Sequence, residues 1–148
     1  MKRCVEIKED VVSQDPTEKG LRKILNFGHT AGHAFESLAI ERHLPLAHGE
    51  AVAHGMLVEL ILSHMLKGLD SSEVYRYANE ILKPVYPKPD IKCEDIPLLI
   101  NLMAHDKKNA TSGRPNFTLL LELGVPEIDC LPELKEIEAA LDIYRDLI

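Results

Sequence analysis

The amino-acid sequence predicts a mainly helical domain, all-α apart from room for one short β-hairpin. Three observations carry this expectation. Residues 49–66 are apolar nearly all round, rich in Val, Leu, Ile and Met, which is the pattern of a buried central helix. Proline, glycine and capping residues cut the rest of the chain into helix-length pieces. Phe and Thr, which favour strands, come together in residues 117–121. With 148 residues, 45% of them hydrophobic and 28% charged, the chain suits a single domain over residues 1–148 with a real core.

Taken in order, residues 2–13 read as a short helix with Val5, Val11 and Val12 as apolar positions. Asp15-Pro16-Thr17 marks a turn and a new helix start. The next helix is expected over residues 18–40 and is broken by His43-Leu44-Pro45. The buried helix follows and ends at Gly68. Asp70-Ser71-Ser72-Glu73 has the spacing of a capping box and opens a helix to about residue 82. Pro84, Pro87 and Pro89 make the next segment an extended linker. A further helix is expected over residues 96–105. Residues 106–115 are polar, contain Gly113 and read as a loop before the strand. Pro132 suits the first turn of a final helix to about residue 147.

Composition excludes several classes of function. A net charge of -7 argues against a nucleic-acid surface, which needs clustered Lys and Arg. The longest apolar stretch, residues 57–62, contains Glu59 and is far too short to span a bilayer. The opening Met1-Lys2-Arg3-Cys4 leads into charged residues, with no signal-peptide pattern. Cys4, Cys93 and Cys130 are odd in number and far apart, so no disulfide framework is expected and a reducing cytoplasm is the simplest location.

The informative segment is residues 18–33. Placed on a helix at about 100° per residue, Glu18, Arg22, Asn26, His29 and His33 fall within an arc of roughly 80°. Leu21, Ile24, Gly28, Ala31, Gly32 and Phe35 cover a different, small or apolar face, with Lys19, Lys23 and Thr30 between, where water is expected. Gly28 and Gly32 would each weaken a helix interior by roughly 0.5–1 kcal/mol relative to Ala. Their spacing implies a compensating close approach of another backbone or a ligand. The plain alternative is a helix with a solvated polar face.

Metal chemistry is the sharper reading. His29 and His33, four residues apart, could share one ion, and His48 at the start of the next helix could swing back towards them. Spacing alone leaves open which two of the three would bind. A second polar cluster, His105-Asp106-Lys107-Lys108-Asn109, lies at a helix end. Its lysines either complement the helix dipole or act as point charges for a phosphate or carboxylate. No glycine-rich phosphate loop is present.

Asn26-Phe27-Gly28-His29-Thr30-Ala31-Gly32-His33-Ala34, then His48-Gly49-Glu50-Ala51-Val52-Ala53, then Asp106-Lys107-Lys108-Asn109, in that order, resemble the signature of the 3-dehydroquinate synthase family. The lead-in to Asn26 is similar as well, and the resemblance covers residues 4–124. It implies the helical C-terminal domain of the dehydroquinate synthase-like fold, with the N-terminal NAD-binding domain absent from this chain. His29 then resembles the first zinc histidine and His48 the second, the third ligand being a glutamate upstream of this region. His33 resembles a substrate-contacting histidine with a proposed role in proton transfer, and Glu18 a family acid with a proposed role as base. Lys8, Arg22, Asn26 and one of Lys107 and Lys108 resemble substrate binders. The spacing from His33 to His48 varies in the family. His54, where an apolar residue is often found, reads as tolerated variation and not as a further ligand.

The resemblance also implies the chemistry. The substrate would be 3-deoxy-arabino-heptulosonate 7-phosphate, the products 3-dehydroquinate and phosphate of the shikimate route to aromatic amino acids, and the cofactors NAD and zinc or another divalent metal. The partners would be the NAD-binding domain and a second copy in a homodimer, with no nucleic acid and no membrane. The isolated chain is expected to lack turnover. The alternatives are another sugar-phosphate cyclase, such as a 2-deoxy-scyllo-inosose synthase, a metal-dependent polyol dehydrogenase, or a non-catalytic helical module. Glu18 could also be a simple helix ion pair with Arg22, worth roughly 0.2–0.5 kcal/mol.

Overall fold

The computed structural model, which describes residues 1–105 and 113–148, opens with α1 (Lys2–Gln14). Val11 is the buried residue of this helix, while Val5 and Ile7 stay exposed. The expectation of one continuous helix over residues 18–40 fails. The chain instead passes through a 3-10 segment, Leu21–Asn26, and restarts as α2 (His29–Glu41).

Two local causes break the helix. The Asp15 carboxylate accepts hydrogen bonds from the backbone N–H groups of Lys19, Gly20 and Arg22 at 3.1, 2.8 and 3.1 Å, which folds the chain around that side chain. Gly28 then takes φ 83°, a left-handed conformation that suits glycine and cannot continue an α-helix. Glu18 is also left-handed, at φ 56°. The uniform 100° advance that placed five polar residues on one arc therefore does not apply across residues 18–33.

Next comes α3 (His48–Lys67), which matches the expected central helix. It is buried on most of its circumference and stops at Gly68, where φ is 78°. Glu50 caps its start by accepting from the N–H of Ala47 at 3.0 Å. A helical stretch follows as α4 (Ser71–Arg76), a π turn (Tyr77–Leu82) and α5 (Lys83–Val85). Asp70 caps it through the N–H of Ser72 at 2.8 Å, but Glu73 pairs with Arg76 at 2.5 Å, so half of the expected capping box forms. Pro84 sits in a first helical turn, so the linker starts later than expected, at Tyr86. A 3-10 turn (Cys93–Asp95) leads into α6 (Ile96–Ala104). Arg42, the C-cap of α2, grips the buried Asp95 carboxylate with its two terminal guanidinium nitrogens and fastens α2 to the start of α6.

The expected hairpin is present. Antiparallel β1 (Phe117–Glu122) and β2 (Val125–Cys130) pair Phe117 with Cys130 and Glu122 with Val125. The hairpin lies against α3: Ser63 Oγ accepts from the N–H of Leu120 at 2.9 Å, and Lys67 meets Glu127 at 2.7 Å. Its other ties run to the 3-10 segment, where Lys23 meets Asp129 at 2.7 Å and Thr118 donates to the Lys23 carbonyl at 3.2 Å. The chain closes with α7 (Leu134–Leu147). Its N-cap is Glu133, which leaves Pro132 just before the helix and not in its first turn.

The core gathers around α3, with Phe35 and Leu38 from α2, Leu99 and Met103 from α6, Phe117 and Leu119 from β1, and Ile137, Leu141 and Tyr144 from α7. Between α2 and α3 the backbones touch. A Cβ on Gly55 would collide with the carbonyl oxygen of Gly28 and lie 2.6 Å from the nitrogen of Gly32, and one on Gly32 would lie 2.9 Å from the Cα of Val52. The close approach implied by Gly28 and Gly32 is met by the backbone of α3. No helix among the described residues is long and apolar enough to cross a membrane.

Candidate metal and substrate site

Three imidazoles converge where α2 and α3 begin. His29 is the first residue of α2, His33 follows one turn later, and His48 is the first residue of α3. Their ring centroids are 5.5 Å (His29–His33), 5.7 Å (His29–His48) and 5.6 Å (His33–His48) apart, a near-equilateral triangle. Two imidazoles sharing one tetrahedral zinc, with Zn–N of about 2.0–2.1 Å, have ring centroids roughly 5 Å apart. The observed separations are slightly wider than those of rings sharing one ion. Among the described residues, no group of three or more His, Cys, Asp or Glu is already arranged to hold one.

Two of the rings are oriented through Nδ1. His48 Nδ1 lies 3.0 Å from Oε2 of Glu36 on α2. His29 Nδ1 lies 3.3 Å from the carbonyl oxygen of Phe27. A carbonyl oxygen accepts, and a carboxylate oxygen accepts, so both contacts are met by a proton on Nδ1, with Nε2 as the nitrogen that could hold a metal.

A cleft of about 270 Å³ lies between α2, the 3-10 segment and the hairpin. It is lined by Glu18, Asn26, Thr30, Asn116, Thr118 and Asp129 among others, and not by the three histidines. Glu18 and Asn26 are joined directly, Asn26 Nδ2 donating to Glu18 Oε1 at 2.8 Å. Thr30, expected near water, is buried and donates to the Asn116 carbonyl at 2.6 Å. Lys23 and Asn116 both donate to Asp129 and hold its carboxyl below the usual range.

The remaining candidates are more scattered. Arg22 donates to the Pro16 carbonyl at 3.1 Å within the loop and forms no ion pair with Glu18, whose carboxylate meets Asn26. Lys8 stands exposed on α1, which packs against the 3-10 segment. Lys107 and Lys108 lie outside the described residues. His54 is buried, with Nδ1 2.9 Å from Tyr144 Oη and Nε2 2.9 Å from the Pro87 carbonyl. Since the carbonyl accepts, Nε2 carries the proton and Nδ1 accepts from the tyrosine. Both ring nitrogens are therefore engaged inside the core.

Sequence reasoning missed two carboxylates. Glu36 lies three residues after His33, a spacing that puts the two on neighbouring positions of one helix, yet only the tertiary contact makes it a partner of His48. Glu59 lies within the apolar run of α3 and is fully buried. Its Oε2 accepts from the N–H of Gly28 at 2.7 Å, while Oε1 has no hydrogen-bond partner among the described residues. Burial pushes this carboxyl well above the usual range, against the opposing pull of the N–H groups at the start of α2.

The family model described as 3-dehydroquinate synthase C-terminal matches residues 1–109. A 3-dehydroquinate synthase of Parabacteroides distasonis is 45% identical over 144 residues, covering 97% of this chain and 40% of the relative. One of Clostridium tetani is 37% identical over 139 residues, covering 94% and 36%. The chain thus spans about two fifths of the length of the curated relatives it matches. Among solved structures, a 2-epi-5-epi-valiolone synthase of Streptomyces hygroscopicus with NAD+ and Zn2+ bound superposes with a TM-score of 0.75 at 24% identity, over 98% of this chain and 39% of that one. That likeness is one of fold.

Proposed function

This chain belongs to the 3-dehydroquinate synthase family, and from that membership we propose that it is the zinc- and substrate-holding C-terminal domain of a cyclase that converts 3-deoxy-arabino-heptulosonate 7-phosphate to 3-dehydroquinate and phosphate. The observation that carries this reading is the convergence of His29, His33 and His48 at the adjoining starts of α2 and α3. His29 and His48 would hold zinc through Nε2, with a glutamate from just upstream of this region as the third protein ligand. Glu36 orients His48 by accepting from its Nδ1–H, an arrangement that also makes Nε2 a better donor to metal. When bound, zinc supplies Lewis-acid polarisation of substrate hydroxyls and NAD, held by the upstream domain, supplies the transient oxidation that makes phosphate a feasible leaving group.

The chain's own residues then divide the remaining work. His33 faces the substrate beside the metal and transfers a proton. Asn26 offers a donor and an acceptor to hydroxyls, and Glu18, bonded to it, acts as base in the same cleft. Arg22, Lys8 and a lysine of the Lys107-Lys108 pair supply positive charge to the carboxylate and phosphate of the substrate. The complete enzyme works as a homodimer in the cytoplasm, where the three unpaired cysteines of this chain remain reduced.

The test is phosphate release from the heptulosonate phosphate by the full-length protein supplied with NAD and zinc. Release with formation of 3-dehydroquinate, abolished in His29→Ala together with bound zinc, is the expected result. A different carbocyclic product would move the assignment to a sibling cyclase such as a 2-deoxy-scyllo-inosose synthase. No release from a folded, zinc-loaded protein would leave a non-catalytic module.

A further inference from the structure

The Phe27–Gly28 peptide group is held from both sides. Its N–H donates to Oε2 of Glu59 at 2.7 Å, and its carbonyl oxygen lies 3.3 Å from Nδ1 of His29. The peptide unit is planar and trans, so its N–H and C=O point in opposite directions and fixing one fixes the other. We propose that Glu59 is a positioning residue for His29: by gripping this peptide from within α3, it sets the ring orientation and tautomer that leave Nε2 facing the metal. This inference rests on the reading of His29 as a zinc ligand.

Three features of the fold support it. A carboxylate inside an apolar helix is costly, and an apolar residue of similar volume is often no less stable at such a place, so packing does not account for Glu59. Gly28 is left-handed and sits against Met56 and Val52, so the peptide it shares with Phe27 lies in direct contact with α3. A hydrogen bond to the N–H polarises the same peptide's carbonyl, making it a stronger acceptor for Nδ1–H of His29. Glu59 therefore acts on His29 through one peptide, as Glu36 acts on His48 directly.

The experiment measures zinc affinity of the full-length protein by competition with a chromophoric chelator, alongside the unfolding midpoint. Glu59→Met fills much the same space, removes the acceptor and leaves no charge to bury. Its zinc affinity is expected to fall roughly ten- to a hundredfold, as for loss of other groups that orient a metal-binding histidine. Glu59→Gln keeps an acceptor for the Gly28 N–H and should stay within about threefold of the parent. Leu141→Ala, a buried truncation in α7, should lower the unfolding midpoint and leave zinc affinity unchanged. Parent-like affinity in folded Glu59→Met, with binding still abolished by His29→Ala, would overturn the inference and leave the metal site standing. An equal loss of affinity in Leu141→Ala would reduce Glu59 to general stabilisation and also overturn it. Zinc binding indifferent to His29→Ala would refute the metal reading, and this inference with it.

Discussion

Replacing Gly55 by alanine should destabilise the protein although it favours the local helix. Position 55 lies in the middle of α3, where Ala is better than Gly by about 0.5–1 kcal/mol. The added methyl group, however, would collide with the Gly28 carbonyl oxygen and lie 2.6 Å from the Gly32 nitrogen and 3.0 Å from its Cα. All three are backbone atoms, so no side chain can rotate away. Against an optimal separation of about 3.5 Å, relief requires α2 and α3 to part by about 1 Å. Overpacking of this kind costs about 1–3 kcal/mol, occasionally more, and outweighs the helix gain. The expected net loss is about 1–2 kcal/mol, a Tm drop of about 2–8 °C for a domain of this size. Thermal unfolding followed by circular dichroism checks it, with Gly49→Ala as the companion. A Cβ at Gly49, in the first turn of the same helix, meets nothing within 4 Å, so that variant should be neutral or stabilised by up to about 1 kcal/mol. A Gly55→Ala protein as stable as Gly49→Ala would refute the backbone seam as the element that fixes α2 against α3.

Three further outcomes follow from single residues. Tyr144→Phe removes the donor to Nδ1 of His54 inside the core and should cost about 1–3 kcal/mol in urea unfolding at pH 8. Burial holds the His54 pKa below its ordinary value of 6.5, partly offset by the hydrogen bond to Pro87, so the unfolded chain takes up the proton first as pH falls. The stability contributed by neutral His54 is thus full above about pH 6.5 and lost as pH drops towards the lowered folded value; His54→Phe should flatten that part of the profile, and an unchanged slope would contradict it. Glu36→Ala should weaken zinc binding roughly ten- to a hundredfold through loss of the bond to His48, measured by chelator competition, with little change in Tm because the pair is partly exposed.

Elements whose signal was strong and local were legible in the sequence. The all-round apolar pattern located α3, glycine its end, and Phe-Thr the first strand, because each depends on side chains within a few residues of one another. The failure over residues 18–40 has an equally specific cause. Periodicity assumes a uniform helical advance, and it carries no information on the Asp15 carboxylate folding back on three N–H groups or on the left-handed turn at Gly28. Glu18 and Asn26 nonetheless meet, through a hydrogen bond across a loop and a 3-10 turn, not by lying on one face of a helix. The glycines expected to allow a close approach do so, and the surface that approaches is α3.

By itself, the sequence determined the mainly helical class, the central helix, the membership of a family and the identity of the three histidines, since these reside in residue type, order and spacing. Tertiary structure alone decided that His48 lies 5.7 Å from His29, that Glu36 turns one ring and that Glu59 holds the peptide beside the other. These contacts join residues 12 to 31 positions apart on two helices. Their geometry is set by how closely two glycine-lined backbones pack, a quantity that no window of local sequence contains.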